Sequence, residues 1–135
     1  MCSKKLTVQN QVHYHQVDQM GIVHHAQYAY FLEQARIQWL YQQGISYAAL
    51  EKDGILLPLR DISIHYSQPL RFEDKFFVHL VLENSADFTI DFSYTIEHED
   101  GTKIATASTR LVYVDAVSRK AIKCPTVLQA IFQDK

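Results

Sequence analysis

The chain has 135 residues, 47% hydrophobic and 21% charged, with a formal net charge of −2. Those values suit one globular domain with a real core and exclude a disordered chain; the slight acidity leaves no basic footprint for a nucleic acid. No window holds the ~18 apolar residues of a membrane helix.

The opening MCSKKLTVQN carries two lysines with no apolar run behind them, unlike a signal peptide. Cys2 and Cys124, far apart, form neither a disulfide framework nor a metal-ligand spacing. A single domain over 1–135, in the cytoplasm with reduced cysteines, is expected. Residues 6–14, LTVQNQVHY, alternate apolar and polar side chains and predict a half-buried strand. The period then changes: Tyr28, Leu32, Ala35, Trp39 and Leu40 recur at helical spacing and predict a helix over 26–43. Gly44 closes it, and SYAALEKDG (46–54) predicts a short second helix with Ser46 as N-cap and Gly54 as stop.

After Gly54 the pattern becomes β. LLPLRDISIHYS, FFVHLVLEN, FTIDFSYTIEHE and KIATASTRLVYVDA read as four strands, the last two joined by the hairpin signal Asp100-Gly101. Phe88, Ile90, Phe92, Tyr94 and Ile96 share one face. The expected class is α+β: an antiparallel sheet of about five strands, wrapped around one long central helix that covers its apolar face.

The chemistry gathers in YHQVDQMGIVHH (14–25). Asp18, three residues before Gly21, has the spacing of a tight turn. It also ends the loop before the long helix, whose first N–H groups bind anions and polarise carbonyls. A carboxylate beside such donors is a workable set for acyl transfer. A metal site could recruit His13, His15, His24 and His25. Adjacent His24 and His25 are expected to point apart, however, and no helical H-x-x-x-H pair accompanies them. Tyr28, Phe31, Trp39 and Tyr41 read as the aromatic core of the helix, and Glu33 with Arg36 as a surface ion pair.

The segment QVHYHQVDQMGIVHHAQYAYFLEQAR resembles the signature of the 4-hydroxybenzoyl-CoA thioesterase family of the hotdog superfamily. Gln11-Val12, Tyr14, Asp18, Gly21, Ile22-Val23, His25, Tyr28 and Glu33-x-Ala35-Arg36 carry the likeness. HYSQPLRFEDKF (65–76) and SRKAIKCP extend it over nearly the whole chain. The resemblance implies an acyl-CoA thioesterase in which Asp18 attacks the thioester carbonyl or activates water, and the His25 backbone N–H polarises that carbonyl. Tyr14, Gly21, Val23, His24 and Tyr28 would shape the substrate site. The resemblance further implies no metal or organic cofactor, and a homodimer or homotetramer with acyl-CoA bound between subunits.

This chain departs from the family pattern at Gln16, Val17 and His24. Two other functions remain as alternatives: hydrolysis of acyl carrier protein thioesters, and non-catalytic binding of acyl thioesters, the latter motivated by the residues at 16 and 17. A metal-dependent enzyme built on the histidines is a third alternative. Arg60, Arg71, Lys75, Arg110 and Lys120 are the candidate contacts for CoA phosphates.

Overall fold

In the computed structural model of the protein, which describes residues 4–133, strand β1 runs over Lys5–Gln11 and alternates exposed with half-buried side chains. It stops three residues short of the expected end. Val12 turns into the core, and Tyr14–Gln16 form one 3-10 turn, in which the Gln16 side-chain oxygen accepts the His13 N–H at 2.8 Å. Cys2 lies outside the described residues.

Helix α1 (Gln27–Gln42) buries Tyr28, Phe31, Leu32, Ala35, Trp39 and Leu40, the stripe its period demanded. Tyr41 is the exception to the expected aromatic core, at 56% exposure. Gly44, at φ +83°, ends the helix: its N–H goes to Tyr41 O and the Ile45 N–H to Leu40 O, satisfying two orphan carbonyls. Helix α2 (Tyr47–Lys52) follows, with the Ser46 hydroxyl accepting the Ala49 N–H as N-cap.

Pro58 splits the next β segment into β2 (Ile55–Leu56) and β3 (Leu59–Tyr66). Then come β4 (Lys75–Ser85), β5 (Thr89–His98), β6 (Lys103–Val112) and β7 (Val114–Asp115). The main sheet has five antiparallel strands in the order β1-β4-β5-β6-β3, while β2 pairs with β7. The Asp100-Gly101 hairpin joins β5 to β6 as its sequence signalled. Strict alternation on β5 buries Ile90, Phe92, Tyr94 and Ile96; Phe88 precedes the strand and is 45% exposed.

A third helix, α3 (Thr126–Gln133), had not been expected from the sequence. It starts after Pro125 and buries Leu128 and Ile131. Cover of the apolar face is therefore shared. Phe31 of α1 meets Phe76 at 4.8 Å between ring centroids, and Trp39 meets Phe92 at 5.3 Å on one side and Phe132 of α3 at 6.4 Å on the other. Full burial of each such side chain stabilises the fold by about 1.5–3 kcal/mol. This packing fixes α1 with its N-terminus beside Tyr66, at the far end of edge strand β3.

Candidate active site

The loop before α1 folds on itself through Asp18. Asp18 Oδ1 accepts the N–H groups of Met20 at 2.8 Å and, at the edge of hydrogen-bond length, Ile22 at 3.4 Å. The Asp18 carbonyl accepts the Gly21 N–H, and the Asp18 N–H returns to Ile22 O. Such a turn is what Asp followed by a left-handed residue builds, and Gly21 supplies it at φ +80°. The closed turn pairs Val17 with Val23. Asp18 is therefore a turn residue. Among the described residues nothing bonds its second oxygen, Oδ2.

Gln16 and Val17, where the chain departs from the family pattern, both support this loop. Gln16 O accepts the His24 N–H at 2.9 Å, and Val17 forms the bridge to Val23. The segment after the turn is held from the other side, since the Val23 N–H goes to Leu70 O at 2.8 Å and Ile22 bridges Arg71.

His24 and His25 do not point apart. Their rings stack with centroids 4.2 Å apart, and His24 Nδ1 accepts the Ala26 N–H at 3.1 Å. The chain is already turning into α1 here, so the alternation of an extended strand does not apply. The His25 N–H has no hydrogen-bond partner among the described residues, while its carbonyl accepts the Tyr66 hydroxyl at 3.1 Å. His13 and His15 sit on the 3-10 turn instead of a strand, their rings 5.8 Å apart. Among the described residues no group of three or more His, Cys, Asp or Glu side chains is placed to hold a metal ion.

Asp18, Val23, His25 and Tyr28 line one open cleft of about 340 Å³, closed on its far side by Tyr66 and the Ser67–Pro69 segment. Gly21 shapes the turn without lining the cleft, and His24 lies behind His25. Tyr14 is not brought there: it is 76% exposed and rests edge-on against Phe72. Tyr28 is buried with its ring perpendicular to that of Tyr66, and burial raises its hydroxyl pKa.

Tyr66, Ser67 and Gln68 also line this cleft, and the sequence did not single them out. They lie far along the chain and carry no spacing relative to Asp18. A carboxylate oxygen and an unbonded amide N–H on one cleft can activate water and hold an oxyanion.

Of the basic residues, Arg71 abuts the Asp18 loop through its backbone bridge to Ile22. Arg110 is engaged elsewhere, bidentate on Asp91 at 2.8 and 2.9 Å, and Arg60 lies 3.8 Å from Asp61. Glu33 and Arg36 form no ion pair; Arg36 reaches instead to the Tyr94 hydroxyl at 3.2 Å.

A family model described as the Thioesterase-like superfamily matches residues 12–132. A Bacillus subtilis (strain 168) protein, provisionally named acyl-CoA thioesterase YneP, is 34% identical over 113 residues, which is 84% of this chain and 82% of that protein. The acyl-CoA thioester hydrolase YbgC of Escherichia coli O157:H7 is 26% identical over 122 residues, 90% of this chain and 91% of that one. A solved DHNA-CoA thioesterase from Staphylococcus aureus has a TM-score of 0.85 at 28% identity, covering 88% of this chain and 80% of its own.

Proposed function

The chain belongs to the thioesterase-like superfamily and has its hotdog fold, and on that premise we propose that it hydrolyses acyl-CoA thioesters to a free acid and CoA. Asp18 is the catalytic carboxylate, acting through Oδ2 on the thioester carbonyl or on the attacking water. The His25 backbone N–H polarises the carbonyl and holds the oxyanion as the thiolate leaves. One observation supports this reading: Asp18 and His25 line the same cleft at the entrance of α1, and each has an atom with no partner among the described residues. Tyr28 and Tyr66 form the wall against which the thioester lies.

In this reading residues 1–135 act as one hotdog domain whose sheet curls around α1, and a second copy completes the substrate site. CoA phosphates meet the basic rim, with Arg71 foremost because it adjoins the Asp18 loop. The test is Asp18→Asn in a thiol-release assay with a panel of acyl-CoA esters. The amide still accepts the Met20 N–H, so the loop keeps its shape. kcat is expected to fall roughly 10²–10⁴-fold, and wild-type turnover in that variant would sink the mechanism. A second reading, non-catalytic thioester binding, is favoured by the turn bonds on Asp18 Oδ1. It predicts tight binding of acyl-CoA without release of thiol.

A further inference from the structure

A second depression begins at the first turn of α1. Ala26 lines it where neighbouring His25 lines the catalytic cleft, and it runs on past Ala29 and Tyr30, under Leu57–Leu59, to Arg36. Its volume is about 640 Å³. Beyond Arg36 lies an apolar void of about 20 Å³ between Trp39, Phe92 and Leu128, with room for little more than one water. Arg36 lines both spaces, so it forms the inner end of the groove.

Arg36 is half-buried, yet no carboxylate among the described residues lies within 4.0 Å of its guanidinium. Its bond is to the neutral Tyr94 hydroxyl at 3.2 Å, which is itself anchored at 2.6 Å to the buried Thr109. Glu33 lines the groove one turn nearer its mouth, and it is exposed. A guanidinium at the end of a groove walled by Ile37, Tyr47, Leu57 and Pro58, with no described carboxylate at ion-pair distance, is a positive charge that a carboxylate fits bidentately.

We infer that the groove takes the acyl chain of a thioester whose far end bears a carboxylate, and that Arg36 binds that carboxylate. The inference rests on the thioesterase reading above. The eleven residues from His25 to Arg36 span roughly 16 Å of helix. A long arginine side chain leans back toward the helix N-terminus, which shortens the reach required. The substrate class is therefore the medium-chain ω-carboxyacyl thioesters, with the short dicarboxylic esters falling short of Arg36.

The test compares ω-carboxyacyl-CoA esters of increasing length with unsubstituted acyl-CoA esters of equal length, on the wild-type protein and on Arg36→Gln and Arg36→Lys. Glutamine keeps a donor for Tyr94, and lysine keeps the charge. The expected wild-type result is a kcat/KM roughly 10- to 100-fold higher for the medium-chain carboxyacyl ester than for its unsubstituted partner. The ratio should fall toward one in Arg36→Gln, through KM more than kcat, and survive in part in Arg36→Lys. Equal rates for the two series in the wild type would overturn the inference while leaving the thioesterase reading intact. So would an undiminished preference in Arg36→Gln. Failure to hydrolyse either series would overturn both. The wild-type comparison stands even if a variant does not fold.

Discussion

The ring of His24 stacks on that of His25 at 4.2 Å while its Nδ1 takes the Ala26 N–H. The N–H of His24 itself goes to Gln16 O. Both amides flanking His25 are thus occupied, while the His25 N–H between them has no hydrogen-bond partner among the described residues. In the proposed mechanism it is this N–H, and not the His25 side chain, that meets the thioester carbonyl.

That arrangement separates two substitutions at one position. His25→Ala keeps the N–H and is expected to retain kcat within about tenfold. His25→Pro removes the donor and should lower kcat roughly 10²–10³-fold, the usual loss for one oxyanion donor. Steady-state kinetics on both, with circular dichroism to confirm folding, checks the assignment. Equal losses in the two variants would point to the imidazole instead.

Gly21 offers a test of the turn. A methyl at this position would meet nothing within 4 Å, so only the backbone conformation at φ +80° resists it. Gly21→Ala should cost about 1–2 kcal/mol, read as a lower urea midpoint. Gly101→Ala, in the β5–β6 hairpin at φ +94° with equally open surroundings, should cost a similar amount. Only the first is expected to reduce kcat, because only that turn carries Asp18. If both left kcat at the wild-type value, the turn geometry would be irrelevant to turnover.

Alkaline pH should expose the buried phenols. Tyr113 is fully buried with its hydroxyl 3.2 Å from Ser85 Oγ, and burial pushes its pKa far above the ordinary tyrosine range. Burial raises Tyr94 in the same direction, opposed by the charge of Arg36. The fold keeps protons that the unfolded chain releases above about pH 10. Their stabilising contribution is therefore complete below that pH and is lost as pH climbs toward the folded-state values. The melting temperature should fall steeply above about pH 10, and less steeply in Tyr113→Phe. A Tyr113→Phe slope identical to wild type would contradict the account.

The core prediction concerns Trp39, fully buried between Phe92 and Phe132. Trp39→Ala should destabilise by about 3–5 kcal/mol in equilibrium denaturation. Since α1 and α3 both lean on this ring, truncating α3 before Leu128 should produce a loss that is less than additive with it. Strict additivity would mean that the two helices do not share that cover.

Much of the fold is legible because periodicity records burial. The stripe Tyr28, Leu32, Ala35, Trp39, Leu40 and the alternation on β5 are direct consequences of one face being dry. The reading fails where local hydrogen bonds override period. The Gln16 side chain curls residues 13–16 into a turn although the apolar alternation runs through Tyr14. The two adjacent histidines come together because the backbone there is leaving extended geometry. Asp18 and His25 lie close in sequence, so their juxtaposition could be anticipated. Tyr66 reaches the cleft only through the place of β3 at the sheet edge, which no local pattern encodes. Helix α3 was signalled by Pro125 and by Leu128 and Ile131 at helical spacing, but eight residues give few repeats from which to read a period.

The Val23–Leu70 bond and the Ile22–Arg71 bridge have a consequence for how such a site can diverge. They rivet the acid-bearing loop to the middle of the β3–β4 connection, while the first three residues of that connection, Ser67–Pro69, line the cleft. Changes in those three residues would remodel what the cleft accepts without moving the rivets. In the proposed mechanism, selectivity would then be set by one stretch of this connection while the adjoining stretch holds the reactive loop, and the first could be retuned while the second stays put.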